Sequence, residues 1–442
     1  MKFLKSLFPL GFRIGVRHWG VLVVWFFITG FAYQTERDIF FRLSYLLLAI
    51  IVLSFIWGAY SIATFEFERK VITPHTYVGR LAEERFLVHN TGRFPKIWIE
   101  VRDESELPHH RASRVLNSLR ARTHWTWSVR TPCRTRGRFR LGPVSVTTGD
   151  PFGIFIFQRK MADSIASMVV YPATMDLPIF SPPMGALSGG DAMQRRTHHV
   201  TTNVAGTREY VPGDSFNRIH WRSFARTDRL IVKEFELDPT SDVWIFLDME
   251  KGVQSAPWFV KGGKKESVVE EADPNDLSAL WFTNQTPKLA SSTEEYGVSI
   301  ASSIAKYYLN RQRAVGFVAY GHQREIVQPD RGERQLTRLL ESLAVLRADG
   351  RTPLGEVLAV EGARLGRNTS LVVITPSVDL GWIRFVREIK RRGMHTIAAV
   401  MDNSSFGGYG DARVAAIELQ SGGIPTYIVS AGDDLRAVLG RA

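Results

Sequence analysis

The chain has 442 residues, 45% of them hydrophobic and 23% charged, with a formal charge of +12 at pH 7. That balance excludes general disorder and leaves room for two or three domains with real cores, while the basic excess suits lipid, nucleic acid or acidic protein without choosing among them. The single cysteine, Cys133, excludes an internal disulfide framework and points to a reducing compartment. No His or Asp/Asn set frames it as a nucleophile, and it is given no role.

Two uncharged apolar stretches, about 19–35 and 43–65, read as a membrane hairpin that occupies residues 1–65. At helical rise the second covers roughly 34 Å, enough for a hydrocarbon core of about 30 Å. A cleaved leader is the competing reading of the first stretch, but no small-x-small cleavage site follows it and the second stretch arrives at once. Lys2, Lys5, Arg13 and Arg17 precede the pair and Arg69 and Lys70 follow it, against Arg37 and Arg42 in the connection. This asymmetry puts both termini in the cytoplasm.

From 66 to 175, short alternating runs such as Lys96-Ile-Trp-Ile-Glu-Val-Arg and His124-Trp-Thr-Trp-Ser-Val-Arg are broken by turn residues. They predict antiparallel strands in a sandwich-like domain. Trp125 and Trp127 are read as a core stripe rather than a ligand platform. The arginines of Arg134-Thr-Arg-Gly-Arg-Phe-Arg-Leu-Gly-Pro are expected on a solvated strand face; contact with anionic lipid or with single-stranded nucleic acid is the functional alternative.

Residues 176–240 form a linker and a dense motif at 208–236, REYVPGDSFNRIHWRSFARTDRLIVKEFE. Pro212-Gly213-Asp214 is a turn that would direct Asp214 towards the basic residues after it. Ion pairs of Asp214 with Arg218, and of Glu209 with Arg222 or Arg226, are the expected structural use. Catalysis by Asp214 and His220 is the sharper alternative, for which these residues supply neither nucleophile nor metal set.

From 241 to 442, buried runs alternate with amphipathic segments: strands at 243–247, 314–320, 371–375, 396–401 and 426–429, and helices near 295–310, 333–346, 353–365, 381–392 and 411–420. This order specifies a doubly wound, mostly parallel α/β sheet. A long insertion at 251–294, rich in Lys, Ser, Glu and Gly, interrupts it after the first strand. There is no phosphate-binding loop, Gly-x-Ser-x-Gly elbow or HExxH, so the usual hydrolytic chemistries lack their residues.

The stretch 208–236 resembles, over nearly its whole length, the signature of the bacterial family called domain of unknown function 58. Arg208-Glu209-Tyr210, Pro212-Gly213-Asp214, Arg218-Ile-His220-Trp221, Ala225-Arg226 and Val232-Lys233-Glu-Phe-Glu236 are in register. The likeness extends to the two spans, to Arg136-Gly-Arg-Phe-Arg-Leu-Gly-Pro, to Asp150-Pro-Phe-Gly and to the α/β tail. It implies a multi-pass protein of the bacterial inner membrane, working beside MoxR-type AAA+ ATPases in assembling or activating other complexes, with no established reaction.

The tail also resembles a von Willebrand A-like domain, whose Mg²⁺ site joins Asp-x-Ser-x-Ser, a Thr and a later Asp. Asp248 and Thr352 match that site, but Glu250 and Gly252 stand at the serine positions and Pro376 at the later aspartate. Glu250 and Asp379 are the candidate substitutes. With so few ligands retained, neither Mg²⁺ nor any other cofactor is expected. The expectation is a membrane-anchored adaptor that binds proteins through the strand-end face of its α/β domain and catalyses nothing. A membrane enzyme using Asp214 and His220, or an anionic-lipid or nucleic-acid binder, is the alternative; nucleic acid has only charge in its favour.

Overall fold

The computed structural model describes residues 12–16, 19–180, 204–210, 219–235, 242–256, 289–366 and 369–440. They fall into two compact units: residues up to Thr174 joined by Leu340–Leu346, and most of the remainder.

The first unit opens on a strand, β1 (Phe12–Val16), followed by helices α1 (Trp19–Thr35) and α2 (Asp38–Ala63). By length and composition α2 can cross a membrane; α1 is apolar but shorter, about 25 Å at helical rise. The second helix differs from the expected 43–65. Arg37, extended at φ −90°, already caps it, and Phe65 is the first residue of strand β2 (Phe65–Val71). Thr29 and Ser44 join the two helices by a 2.7 Å hydroxyl hydrogen bond, and Phe31 meets Phe40 edge-on at 4.8 Å between ring centroids. Small hydroxyl residues are the usual glue between helices that cannot rely on water to drive them together. Outward, Phe26, Phe27, Tyr33, Tyr45 and Leu53 are exposed, a continuous apolar surface that water does not favour.

Behind the hairpin, β2, β4 (Leu81–Asn90) and β7 (His124–Pro132) form one antiparallel sheet. A second contains, in order, β1, β10 (Phe155–Met161), β9 (Val144–Gly149), β5 (Ile99–Asp103) and β6 (Arg114–Leu116). Alternation sends Phe86, Val88 and Trp127 from the first and Ile99, Val101, Val146 and Phe157 from the second into one core, to which Ile51 and Ile62 of α2 also belong. Trp127 stacks on Phe86 at 5.2 Å, with Trp125 half-buried beside it, as a core stripe requires. A third small sheet joins β3 (His75–Tyr77), β11 (Ala166–Tyr171) and β8 (Gly137–Leu141). Its β3–β11 pair is parallel, against the antiparallel expectation, because the long chain between the two strands permits the crossover that parallel pairing needs.

The solvated arginine face holds only in part. Arg138 and Arg140 are exposed, but Arg136 is completely buried. Its Nε donates to the Leu343 carbonyl at 3.1 Å and its Nη2 to that of Leu346 at 2.8 Å. These are carbonyls at the C-terminus of helix α5 (Gly332–Val345), where backbone acceptors are left over and a cation is favoured.

A second buried charge set lies in the sandwich. Arg69 binds Glu84 and Asp103, each at 2.8 Å, and His110 Nε2 approaches Asp103 at 3.0 Å. Burial pushes the Glu84 carboxyl up despite the Arg69 charge. It pushes Asp103 up too, but there the hydrogen bonds from His110 and Ser105 and the Arg69 charge outweigh it and hold the carboxyl down. Cys133 is buried, and desolvation raises its thiol to about 11, a protonated and inert state.

In the second unit six strands run in the order β16 (Arg324–Asp330), β15 (Val315–Tyr320), β14 (Asp242–Leu247), β17 (Thr369–Thr375), β18 (His395–Met401) and β19 (Thr426–Val429). All are parallel except the edge strand β16. On one face, Leu358 of α6 (Leu354–Gly362), Val386 of α7 (Ile383–Arg391) and Ala415 of α8 (Ala412–Ser421) pack on Phe246, Leu371 and Val373. Helix α4 (Thr293–Asn310) is buried beyond a single stripe of Val298, Ala301, Ile304, Ala305 and Tyr308, since Ser299, Ser302 and Ser303 are buried as well. The reason is a strap at 175–180: Ser303 Oγ accepts the Met175 N–H at 2.9 Å, and the Tyr307 hydroxyl donates to the Phe180 carbonyl at 3.2 Å. The strand–helix alternation is the anticipated one, with β16 and the short terminal helix 435–439 added.

Candidate functional site

Two places hold the residues singled out by sequence. The first is a ribbon of β12 (Val204–Glu209) and β13 (Ile231–Phe235), joined through helix α3 (Trp221–Thr227). Arg208 is paired with Val232, Glu209 with Ile231 and Thr207 with Lys233, and the Tyr210 N–H donates to the Leu230 carbonyl at 2.8 Å. Ile219 and Val232 are buried beneath α3, whereas Trp221 is 61% exposed. His220 precedes the helix, and its Nδ1 shares a hydrogen bond of 2.5 Å with the Ser223 hydroxyl, a local turn-closing contact.

The ion pair expected of Glu209 is corrected. Glu209 pairs with Arg229 at 3.2 Å, the chain returning beside it just after Asp228, while Arg222 and Arg226 are exposed on α3. Both partners are well exposed, so the pair contributes little. Pro212, Gly213, Asp214, Arg218 and Glu236 lie outside the described residues, and with them the Asp214–Arg218 pair and the Asp214–His220 combination.

The second place is the strand-end face of the α/β domain. The strand order switches between β14 and β17, the point where such sheets open a crevice at their C-terminal ends. Asp248 follows β14 there and is buried. Thr375 Oγ1 donates to Asp248 Oδ2 at 2.6 Å, and the Glu250 N–H donates to Oδ1 at 3.1 Å. Burial, opposed by these hydrogen bonds, pushes the Asp248 carboxyl up to about 6. Glu250 is raised too, by burial and then by the nearby carboxylates of Asp379 and Glu356.

Around this pair the loops are laced together. Gln254 Nε2 donates to the Asp248 carbonyl at 3.0 Å, and Thr293 Oγ1 donates to Gln254 Oε1 at 2.7 Å. Asn403 Nδ2 donates to the Pro376 carbonyl at 2.8 Å and to that of Val253 at 3.3 Å. Gly350 forms a bridge with Glu250, and a Cβ there would collide with the Tyr320 carbonyl, so only glycine permits this approach. Thr352, half-buried two residues later, is on the same end; Asp248 is joined to Thr375 instead. Sequence reasoning missed Thr375, Gln254 and Asn403. Only Thr375 left a trace, as a hydroxyl closing an apolar run before proline.

The donor set does not fit the Mg²⁺ arrangement carried by the resemblance. Both Asp248 oxygens already accept hydrogens, the Glu250 N–H points at one of them, and Gly252 brings no side-chain oxygen. Among the described residues no group of three or more His, Cys, Asp or Glu side chains could hold a metal ion. Above this filled floor the rim carries exposed apolar side chains beside the exposed Asp379 carboxylate. Val378 and Leu380 after β17 and Tyr409 after β18 are exposed, Tyr409 at 95%. The two loops meet at Gly410, φ +102°, where a Cβ would fall 2.6 Å from Val378.

An apolar N-terminal helix, a β-rich unit and a parallel-sheet α/β unit define a mixed-architecture chain with a candidate membrane segment. Residues 206–272 match the family described as "Protein of unknown function DUF58". The match takes in the ribbon, β14 and Asp248. The "Uncharacterized protein YeaD" of Bacillus subtilis (strain 168) is 22% identical over 241 residues, 54% of this chain and 50% of that protein. The alignment thus spans half the relative's length.

Among solved structures, the CARDB domain of a Pyrococcus furiosus protein is 15% identical over 24% of this chain and 86% of its own, with a TM-score of 0.18. The C-terminal domain of wzt is 9% identical over 25% of this chain and 75% of its own, with a TM-score of 0.19. Scores this low define no shared fold.

Proposed function

We propose that this protein is a membrane-anchored adaptor that works by binding other proteins and not by catalysis. In this reading α1 and α2 both span the bilayer, both termini are cytoplasmic, and the α/β unit is a von Willebrand A-like domain whose metal position has been closed. Its strand order, with a single antiparallel edge strand, and the matched positions Asp248 and Thr352 support that assignment. The partner is a MoxR-type AAA+ ATPase or its client, docked on the strand-end face.

The observation that carries the proposal is the apolar rim of Val378, Leu380 and Tyr409 over an Asp248 already committed to Thr375. Exposed aliphatic and aromatic side chains on a rigid, hydrogen-bonded floor are what a protein interface uses, and tyrosine is favoured at its centre. The test is binding of a purified MoxR-type ATPase to the full chain in lipid nanodiscs. Leu380→Asp with Tyr409→Ala should weaken binding by about 2 kcal/mol or more, roughly thirtyfold in affinity. Unchanged affinity removes the face from the proposal, and failure of the unaltered chain to bind removes the partner.

A further inference from the structure

The end of the sandwich from which the helical hairpin departs differs in chemistry from the rest of that domain. Strand register defines this end. Val16, the last residue of β1 before the hairpin, pairs with Phe155 at the start of β10, and Gly149 at the end of β9 pairs with Ile156. Ile99, at the start of β5, pairs with Thr148 and Leu116. In the facing sheet Phe65, just past the hairpin, pairs with Asn90, and His89 with His124. The loops at 91–98, 117–123 and 150–154 therefore all surround the point where the helices leave.

These loops present Phe94, Ile97 and Phe152, exposed at 55%, 49% and 63%, together with the exposed arginines Arg93, Arg120 and Arg122. Their apolar tips are held out by built structure. The Asp150 carboxylate is buried and accepts the N–H of Phe152 at 2.9 Å and of Phe155 at 2.6 Å. With Gly153 at φ +71°, this locks a tight turn that puts Phe152 at its apex. Phe94 is packed on Trp57 and Tyr60 of α2, with ring centroids 5.8 and 5.7 Å apart. The Arg93 N–H donates to the Tyr60 hydroxyl at 2.7 Å, and Lys96 Nζ donates to the Ser61 carbonyl at 2.6 Å. Apolar tips and guanidinium groups are thus fixed at the level where the apolar helices emerge.

We propose that this end of the sandwich rests on the bilayer: Phe152, Phe94 and Ile97 enter the headgroup–acyl boundary, and Arg93, Arg120 and Arg122 contact the phosphates of anionic lipids. Aromatic groups favour that boundary, and arginines beside an anionic leaflet are attracted to its phosphates. The partner is the bilayer because the patch is continuous with the apolar hairpin and its charge complements an anionic surface. The inference rests on the reading that the hairpin lies in the membrane.

The test is nitroxide labelling of the full chain reconstituted in vesicles of phosphatidylcholine with phosphatidylglycerol. The native thiol is buried, so the unaltered chain supplies the labelling background. Single cysteines are introduced as Phe152→Cys, as Phe27→Cys in the hairpin, and as Lys70→Cys at the opposite end of β2 for an aqueous reference. Collisions with oxygen and with a water-soluble nickel chelate give the depth of each label. The expected result is a deep label at 27, an interfacial label at 152 that has lost most chelate collisions, and a fully accessible label at 70. A label at 152 as accessible as that at 70, with 27 still deep, overturns the contact but leaves the anchor standing. A label at 27 accessible to the chelate overturns both. Charge reversal at Arg93, Arg120 and Arg122 should make the label at 152 shallower in these vesicles and have no effect in phosphatidylcholine alone; no change in either removes the arginines from the contact.

Discussion

The Thr375 hydroxyl donates to the Asp248 carboxylate at 2.6 Å across the switch point of the parallel sheet, and Asp248 is only 3% exposed. Asp248 has its folded value near 6 against an ordinary 3.8, so the folded domain holds this proton more tightly than the unfolded chain does. The associated stabilisation is full below pH 3.8 and is lost as pH rises through about 6. Asp248→Asn should abolish that loss and make the domain more stable above neutral pH by up to about 3 kcal/mol. Native-state hydrogen exchange of β14 and β17 amides, corrected for intrinsic rates, measures it; identical profiles for variant and wild type would reject the assignment.

Gly350→Ala tests whether the strand-end floor is a single device. The added methyl meets the Tyr320 carbonyl and lies 2.7 Å from that of Met249, so the loop bearing Thr352 must move away from Glu250. A cost of about 1–3 kcal/mol is expected from the overpacking. Partner binding through the rim should fall with it, although no rim residue has changed. Urea titration and the nanodisc binding assay report the two effects separately.

Removing Arg69 should damage the sandwich more than its size suggests. Arg69→Met leaves Glu84 and Asp103 facing each other in the interior, with a cost of about 3–5 kcal/mol. The triple change Arg69→Met, Glu84→Gln, Asp103→Asn should recover much of the loss. Limited proteolysis of residues 66–174 in urea compares them; a single variant as resistant as wild type would show that the cluster contributes nothing.

The glycine at 58 lets α2 lie directly on the Phe157 ring, where a Cβ would collide. Gly58→Val should lift the helix from β10, lower the stability of the sandwich by about 1–3 kcal/mol, and leave the α/β unit unchanged. Hydrogen exchange separates the two units in one experiment. Loss of protection in both would place the effect elsewhere.

What the sequence disclosed depended on the range of the interaction. The hairpin is written in uninterrupted apolar runs, and the α/β unit in the alternation of buried strands with amphipathic helices; both patterns are local. β1 was hidden because its pairing of Phe12 with Arg159 joins segments far apart in the chain. Arg136 read as a surface residue because its acceptor at Leu343 lies 207 residues away. Glu209 was given the wrong arginine since α3 redirects the chain between them. At the strand-end site Asp248 was visible from its place after a buried strand, whereas Thr375 required the register of β14 beside β17.

Only Thr64 separates α2 from β2, and β1 stops two residues before α1. The helices therefore continue into two different ladders of the same sandwich, β1 on β10 and β2 on β4. Such a mounting has no swivel: a load along either strand is borne in shear by several hydrogen bonds at once instead of being unzipped one at a time. A torque on the sandwich is thus passed to the helices as tilt, so the hairpin and the β-rich unit move as one stiff piece.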